Sequence, residues 1–186
     1  MADSAPGKLP GHLQLTDFDV SLEPGDAAHP LRPVVQGLRL RISASGLQAL
    51  LYGLVAEAGR RAPVGVRLDN VGISGEGIDL AFRMQKGIFG GDLATRLVLS
   101  APAGQELRVE LTRVEAPAWV PLDMLLDEAA RRGDGAVRRD PGNSRALLLD
   151  PARLLAWAGL PARLAPGRWS VQTSSDGLDL AFREMS

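Results

Sequence analysis

The sequence contains no cysteine. That excludes disulfides, thiol catalysis and thiolate metal sites together, and leaves the redox compartment open. Histidine is almost as scarce. His12 and His29 both fall in the early Pro- and Gly-rich part of the chain, without a carboxylate or second histidine at helical metal spacing. A zinc site is therefore not expected, and no cofactor is implied. Lysine occurs only at Lys8 and Lys86, so nearly all positive charge is arginine, which beside so much Ala, Gly and Leu suits a GC-rich coding bias. The 21 basic residues are scattered among 22 acidic ones, for a net charge of -1. Without a basic stripe interleaved with aromatics, no nucleic-acid partner is expected.

Long apolar runs are missing too. The longest, around Leu47 to Ala58, is interrupted by Gln48, Gly53 and Glu57, and is too short and mixed to span a bilayer. The opening MADSAPGKLPGHLQ has no basic segment followed by an apolar run, so it does not read as a secretory signal. As written the chain is expected to be cytoplasmic, with an envelope location left open for a form trimmed of its leader. Catalytic patterns are also wanting. Ser100, Ser144 and Ser170 lack a nucleophile-elbow context. The glycine clusters at Gly72, Gly75, Gly77 and at Gly87, Gly90, Gly91 do not open a helix, as a phosphate cradle would. Asp123, Asp127 and Glu128 share a helix, with no sign of burial for acid–base work. No catalytic residue can be named, and the protein is expected not to be an enzyme.

What is present is an ordinary globular composition, 45% hydrophobic and 23% charged. A length of 186 residues suits one domain, or two half-domains sharing a core. Within it one phrase occurs twice: GIDLAFRM from Gly77 and GLDLAFRE from Gly177. Ile78, Leu80, Phe82 and Met84 alternate with Asp79, Ala81 and Arg83, and Leu178, Leu180 and Phe182 alternate in the same way. That period of two marks a strand with one buried face. The turn signals Gly75-Glu76-Gly77 and Ser175-Asp176-Gly177 precede the copies, so each reads as the second half of a hairpin. Pairing across the turns sets Val71 opposite Phe82 and Ile73 opposite Leu80, then Val171 opposite Phe182 and Thr173 opposite Leu180. The repeated Asp and Arg read either as a recognition motif or as an outward pair at i and i+4, solvated and worth little.

Upstream, Val64, Val66 and Leu68 alternate until the phase slips at Asp69-Asn70, which predicts a β-bulge there. Leu93 to Leu99 and Leu107 to Leu111 read as further strands joined by the turn SAPAGQ, and Leu13 to Leu22 and Leu38 to Ile42 as earlier ones. About seven or eight strands result, enough for one large curved antiparallel sheet containing both hairpins, 71–84 and 171–184. Three helices are predicted. The long amphipathic one carries Leu47, Leu50, Leu51, Leu54, Val55 and Ala58 behind an N-cap at Ser43 or Ser45. Gly53 in this helix would allow close approach to a sheet or to a ligand. The second runs from about Pro121, with Leu122, Leu125, Leu126 and Ala129 on one face and Arg131-Arg132 at its C-terminus. The third has Asp150 as N-cap and Pro151 at its first position, and ends at Gly159. Between the last two, Arg132 to Ser144 reads as a mobile, charged loop in which Arg138-Arg139 could meet an anion. The fold class is thus α+β: residues 1–37 an N-terminal extension with an early strand, residues 38–186 a single domain.

The order of SASGLQALL, VRLDNVGISGEGIDLAFRM, DLATRLVLS, LRVELTRVEA, RALLLDPARLLAWAGLP and WSVQTSSDGLDLAFRE resembles the bacterial LmeA-like domains, relatives of the tubular lipid-binding superfamily. The resemblance covers roughly Leu38 to Arg183. It implies a curved antiparallel sheet wrapped around a long helix, an acyl chain in the apolar seam, no metal and no catalytic residues. It points to apolar side chains at that seam: Leu50, Leu54, Ile73, Leu80, Phe82, Leu97, Val109 and Phe182. Two functions from different classes follow. One is non-catalytic binding of a lipid, fatty-acyl or other long apolar ligand in the helix–sheet seam. The other is a structural or interaction protein with a filled core, meeting a protein partner or a membrane surface through residues such as Trp119 and Trp157.

Overall fold

A computed structural model describes residues 13–24, 30–61, 65–102, 104–157 and 162–185. In chain order its elements are β1 (Leu13–Pro24), β2 (Leu31–Ser43), α1 (Ala44–Arg61), β3 (Gly65–Ser74), β4 (Gly77–Lys86), β5 (Phe89–Ser100), β6 (Leu107–Glu115), α2 (Leu122–Arg132), β7 (Val137–Asp140), β8 (Asn143–Leu149), α3 (Pro151–Trp157), β9 (Arg163–Leu164), β10 (Gly167–Ser174) and β11 (Gly177–Glu184). The fold is α+β and mostly antiparallel. Eleven strands among the described residues form two sheets, where the sequence predicts one of seven or eight. The five-stranded sheet runs β1-β2-β11-β10, with β9 parallel to β2, and the six-stranded sheet runs β3-β4-β5-β6-β8-β7. Helix α1 starts where β2 ends, β3 joins the other sheet, and β11 returns from the far end of the chain to pair with β2.

The two copies of the repeated phrase therefore lie in different sheets, as β4 and β11, rather than in one. Each is the second strand of a hairpin, as predicted, but the register differs by two residues. Ser74 pairs with Gly77 and Ser174 with Gly177, so the loops hold two residues and both glycines belong to the strands. Val71 then faces Leu80 and Leu68 faces Phe82, while Val171 faces Leu180 and Trp169 faces Phe182. A shift of two leaves every side chain on its predicted face. The glycines are required where they stand. Their φ values are 137° and 140°, and a Cβ would run into the carbonyl oxygens of Leu97 and Ile42 on the neighbouring strands. The predicted bulge is present, as a register slip between Leu68 and Asn70.

Helix α1 is capped by Ser43, whose Oγ accepts the Gly46 N–H at 3.2 Å. Its covered stripe is Leu47, Leu51 and Val55. On one flank the Gln48 side-chain amide donates to the Val71 carbonyl (3.0 Å) and the Tyr52 hydroxyl to the Asp69 carbonyl (3.3 Å), seating the helix on β3 beside the bulge. In α2 the buried residue is Leu126, with Leu122 and Ala130 half-buried. Leu125 and Ala129, predicted on that face, are exposed. Helix α3 starts as predicted, the Asp150 Oδ1 accepting the Arg153 N–H at 3.1 Å; the predicted end at Gly159 lies outside the described residues.

The segment predicted as a loop, Arg132 to Ser144, instead holds β7 and the start of β8. Its arginines do not form an open anion site: Arg138 pairs with Glu106 at 2.7 Å and Arg139 with Asp123 at 3.1 Å. The boundary drawn after residue 37 falls inside β2, and β1 pairs along that strand from Leu13 opposite Ile42 to Pro24 opposite Leu31. Residues 13–24 and 31–43 are thus paired strands of one sheet. Three apolar clusters hold the elements together. One joins Ile42 and Leu178 of the first sheet, Leu68, Val71, Ile78 and Leu80 of the second, and Leu47 of α1. Another gathers Val35, Leu107, Leu164, Trp169 and Phe182, and a small third one is built on Met84, Leu93 and Val120.

Candidate functional site

Of the eight side chains assigned to a ligand seam, four meet in one apolar cluster with Leu47 of α1, and four lie elsewhere. Leu80 is buried in the first cluster, and Ile73, Phe82 and Leu97 are packed against it, partly buried. Between α1 and the six-stranded sheet there is accordingly packed side chain at these positions. Phe182 belongs to the second cluster, with its ring centroid 5.2 Å from that of Trp169. Val109 is half-buried on β6, opposite Leu99. Leu50 and Leu54 are 47% and 66% exposed. At 100° per residue they fall on the flank of α1 opposite Gln48 and Tyr52, away from β3. Gly53 approaches no sheet, since an added Cβ there would meet nothing within 4 Å. The helical period alone could not separate Leu47 from Leu54, which lie about 20° apart around the axis.

The repeated Asp has a structural task in both copies. The Arg96 guanidinium on β5 grips Asp79 in a fork, Nε to Oδ1 at 2.6 Å and Nη2 to Oδ2 at 2.8 Å, and also meets Glu76. In the other sheet the Arg39 Nε on β2 donates to Asp179 at 3.1 Å. Each Asp is thus paired across to the neighbouring strand, not along its own strand to Arg83 or Arg183. Arg83 turns to Asp69 (3.5 Å) and Asp92 (3.3 Å). The Arg96 hydrogen bond holds the Asp79 carboxyl below its ordinary value, and Arg67 does the same to Asp69. These are carboxylates kept ionised by neighbouring cations, the opposite of what a proton donor near neutrality requires.

A feature the sequence did not single out lies on the five-stranded sheet. Its apolar face consists of cross-strand rows: Phe18–Leu38–Phe182–Trp169 and Leu15–Leu40–Leu180–Val171. Cover falls along each row toward β1. Trp169 and Phe182 are buried and Leu38 is half-buried, but Phe18 is 61% exposed; Leu15, at the end of the other row, is 44% exposed. On either side of this pair β1 is held down, Leu13 by the first cluster and Val20 by the second. Farther along, Leu22 and Leu31 are exposed again. The result is an exposed apolar strip flanked by side chains packed into two clusters. The signal was present in the alternation of LQLTDFDVSL, but a strand on an extension offers no reason to expect an uncovered face.

A partly polar groove of about 630 Å³ is lined by Asp17, Asp19, Gly37, Arg39, Asp179 and Arg183 of the opposite face, together with Leu38, Val171 and Phe182. Among the described residues no group of three or more His, Asp or Glu could hold a metal ion, and no helix is long and apolar enough to cross a membrane. No protein-family model, no curated protein and no solved structure matches this chain.

Proposed function

We propose that the protein binds a lipid or another long apolar ligand without catalysis, on the exposed strip of the apolar face of β1 and β2. The observation that carries this reading is the gradient of cover along two rows of large apolar side chains. It ends on Leu15 and Phe18, exposed between two core clusters. Contiguous exposed apolar surface of this kind is uncommon on a folded chain and marks a binding site for an apolar partner. In this reading the two sheets form the curved wall about α1 that the LmeA-like resemblance implies. Leu50 and Leu54 are exposed on α1, and Leu80 is core. Each methylene removed from water contributes about 0.8 kcal/mol, so about a dozen yield roughly 10 kcal/mol. That is comparable with the roughly 4–15 kcal/mol lost on association, so affinity depends on how much of the ligand the strip covers.

The test is titration with a fluorescent fatty acid, beside native mass spectrometry of purified protein for co-purified lipid. Leu15→Glu and Phe18→Glu place a charge on an already exposed position, so circular dichroism should stay unchanged. Wild-type protein should bind saturably, and either variant should bind at least about tenfold more weakly, since isolated charge is poorly tolerated against apolar chains. Absence of saturable binding, or variants that bind like wild type, would overturn the reading.

A further inference from the structure

We infer that the outer edge of β1 is a docking edge for an extended segment of a partner protein whose side chains alternate between arginine or lysine and large apolar residues. β1 is twelve residues long and ends the five-stranded sheet, pairing among the described residues with β2 alone. Between the register irregularities at Leu15/Asp17 and Asp19/Val20, and beyond them, an edge of that length presents backbone N–H and C=O groups to a strand of matching side chains.

The two faces of β1 state what matches. One carries the exposed Leu15, Phe18 and Leu22. The other carries Asp17 and Asp19, which line the partly polar groove and, among the described residues, make no ion pair or side-chain hydrogen bond. Their cross-strand neighbours explain why. Opposite Asp17 stands Arg39, but its guanidinium is turned to Asp179; opposite Asp19 stands Gly37. Among the described residues these two carboxylates thus form no ion pair, although Arg183 stands beyond Gly37 in the row of Asp19. The strand that already pairs with β1 shows the complementary pattern, Leu38-Arg39-Leu40-Arg41-Ile42. A partner strand of the same pattern on the free edge would set its apolar side chains beside Leu15 and Phe18 and its cations beside Asp17 and Asp19. A second copy of β1 is a poor occupant. Antiparallel self-pairing centred on Phe18 brings Asp17 of one copy against Asp19 of the other, and like charges opposite one another are destabilising.

The inference does not require a lipid on the apolar strip, and its test separates the two. The probe is a ten-residue peptide alternating Leu and Arg, with a control alternating Leu and Glu, followed by fluorescence anisotropy and backbone hydrogen exchange. The basic peptide should bind at least about tenfold more tightly than the acidic one and slow exchange of β1 amides. The double variant Asp17→Asn/Asp19→Asn should lose at least about tenfold in peptide affinity while binding the fluorescent fatty acid as wild type does. Equal affinity for the two peptides, protection located away from β1, or undiminished binding by the double variant would overturn the inference. So would a β1-to-β1 dimer that excludes the peptide.

Discussion

Truncation of Phe182 to alanine should be among the most damaging single changes in this protein. The ring is 1% exposed, and its buried neighbours Val35, Leu107, Leu164 and Trp169 come from β2, β6, β9 and β10. Filling the void would require strands of both sheets to move, so relaxation is limited. Core Phe→Ala changes cost about 3–5 kcal/mol, rising with the cavity left behind, and the upper half of that range is expected. The tilted contact with Trp169, 5.2 Å between centroids at 46°, contributes to the loss. The matching residue of the other copy provides the control. Phe82 is only half-buried, so Phe82→Ala should cost about 2 kcal/mol. Urea unfolding measures both, with the midpoint shifting and the slope unchanged. In a chain of this size a loss of 3–5 kcal/mol lowers Tm by roughly 6–20 °C. If Phe82→Ala cost as much as Phe182→Ala, the separation of the two copies into a buried and a half-buried ring would be wrong.

Other outcomes follow from the same contacts. Gly77→Ala and Gly177→Ala should each cost more than about 1 kcal/mol in urea unfolding, because φ is positive and a neighbouring carbonyl occupies the Cβ position. Gly53→Ala should be neutral or stabilise by up to about 1 kcal/mol, since nothing lies near its Cβ in an exposed helix. Acid unfolding should report the Asp79–Arg96 fork. The Arg96 hydrogen bond holds the Asp79 carboxyl below the ordinary aspartate value, so the fork stabilises the protein above that ordinary value and is lost as pH falls through the lower folded one. The wild-type advantage over Arg96→Met should therefore be constant above about pH 5 and shrink below about pH 4. In limited trypsinolysis Arg138 and Arg139, held in β7 by Glu106 and Asp123, should resist cleavage about as well as Arg67 and Arg96; preferential early cleavage there would restore the loop reading.

Much of the local structure was legible in the residues. The alternation of GIDLAFRM and GLDLAFRE marked two strands and the face each buries. The phase slip at Asp69-Asn70 marked the bulge, and Ser43 and Asp150 marked two helix starts that the structure confirms by hydrogen bonds. These signals are short-range: they depend on side-chain periodicity, turn chemistry and capping groups within a few residues. The segment Arg132 to Ser144 misled for a related reason. Its glycines and charges resemble a solvated loop, whereas its arginines satisfy carboxylates on α2 and just ahead of β6, which no local pattern announces.

What the tertiary structure alone decided was pairing and cover. Strand edges are chemically alike, so nothing within the two repeated phrases says that β4 joins β5 while β11 crosses the chain to join β2. That choice gave each repeated Asp a cross-strand arginine, Arg96 in one sheet and Arg39 in the other. Cover is the deeper case, because periodicity reveals which face of an element is apolar but not whether anything is packed upon it. Leu47 and Leu54 point nearly the same way from α1, and Phe18 and Phe182 occupy one row of one sheet. In each pair one side chain is buried and the other is open to water, because burial depends on which distant segment arrives to cover it.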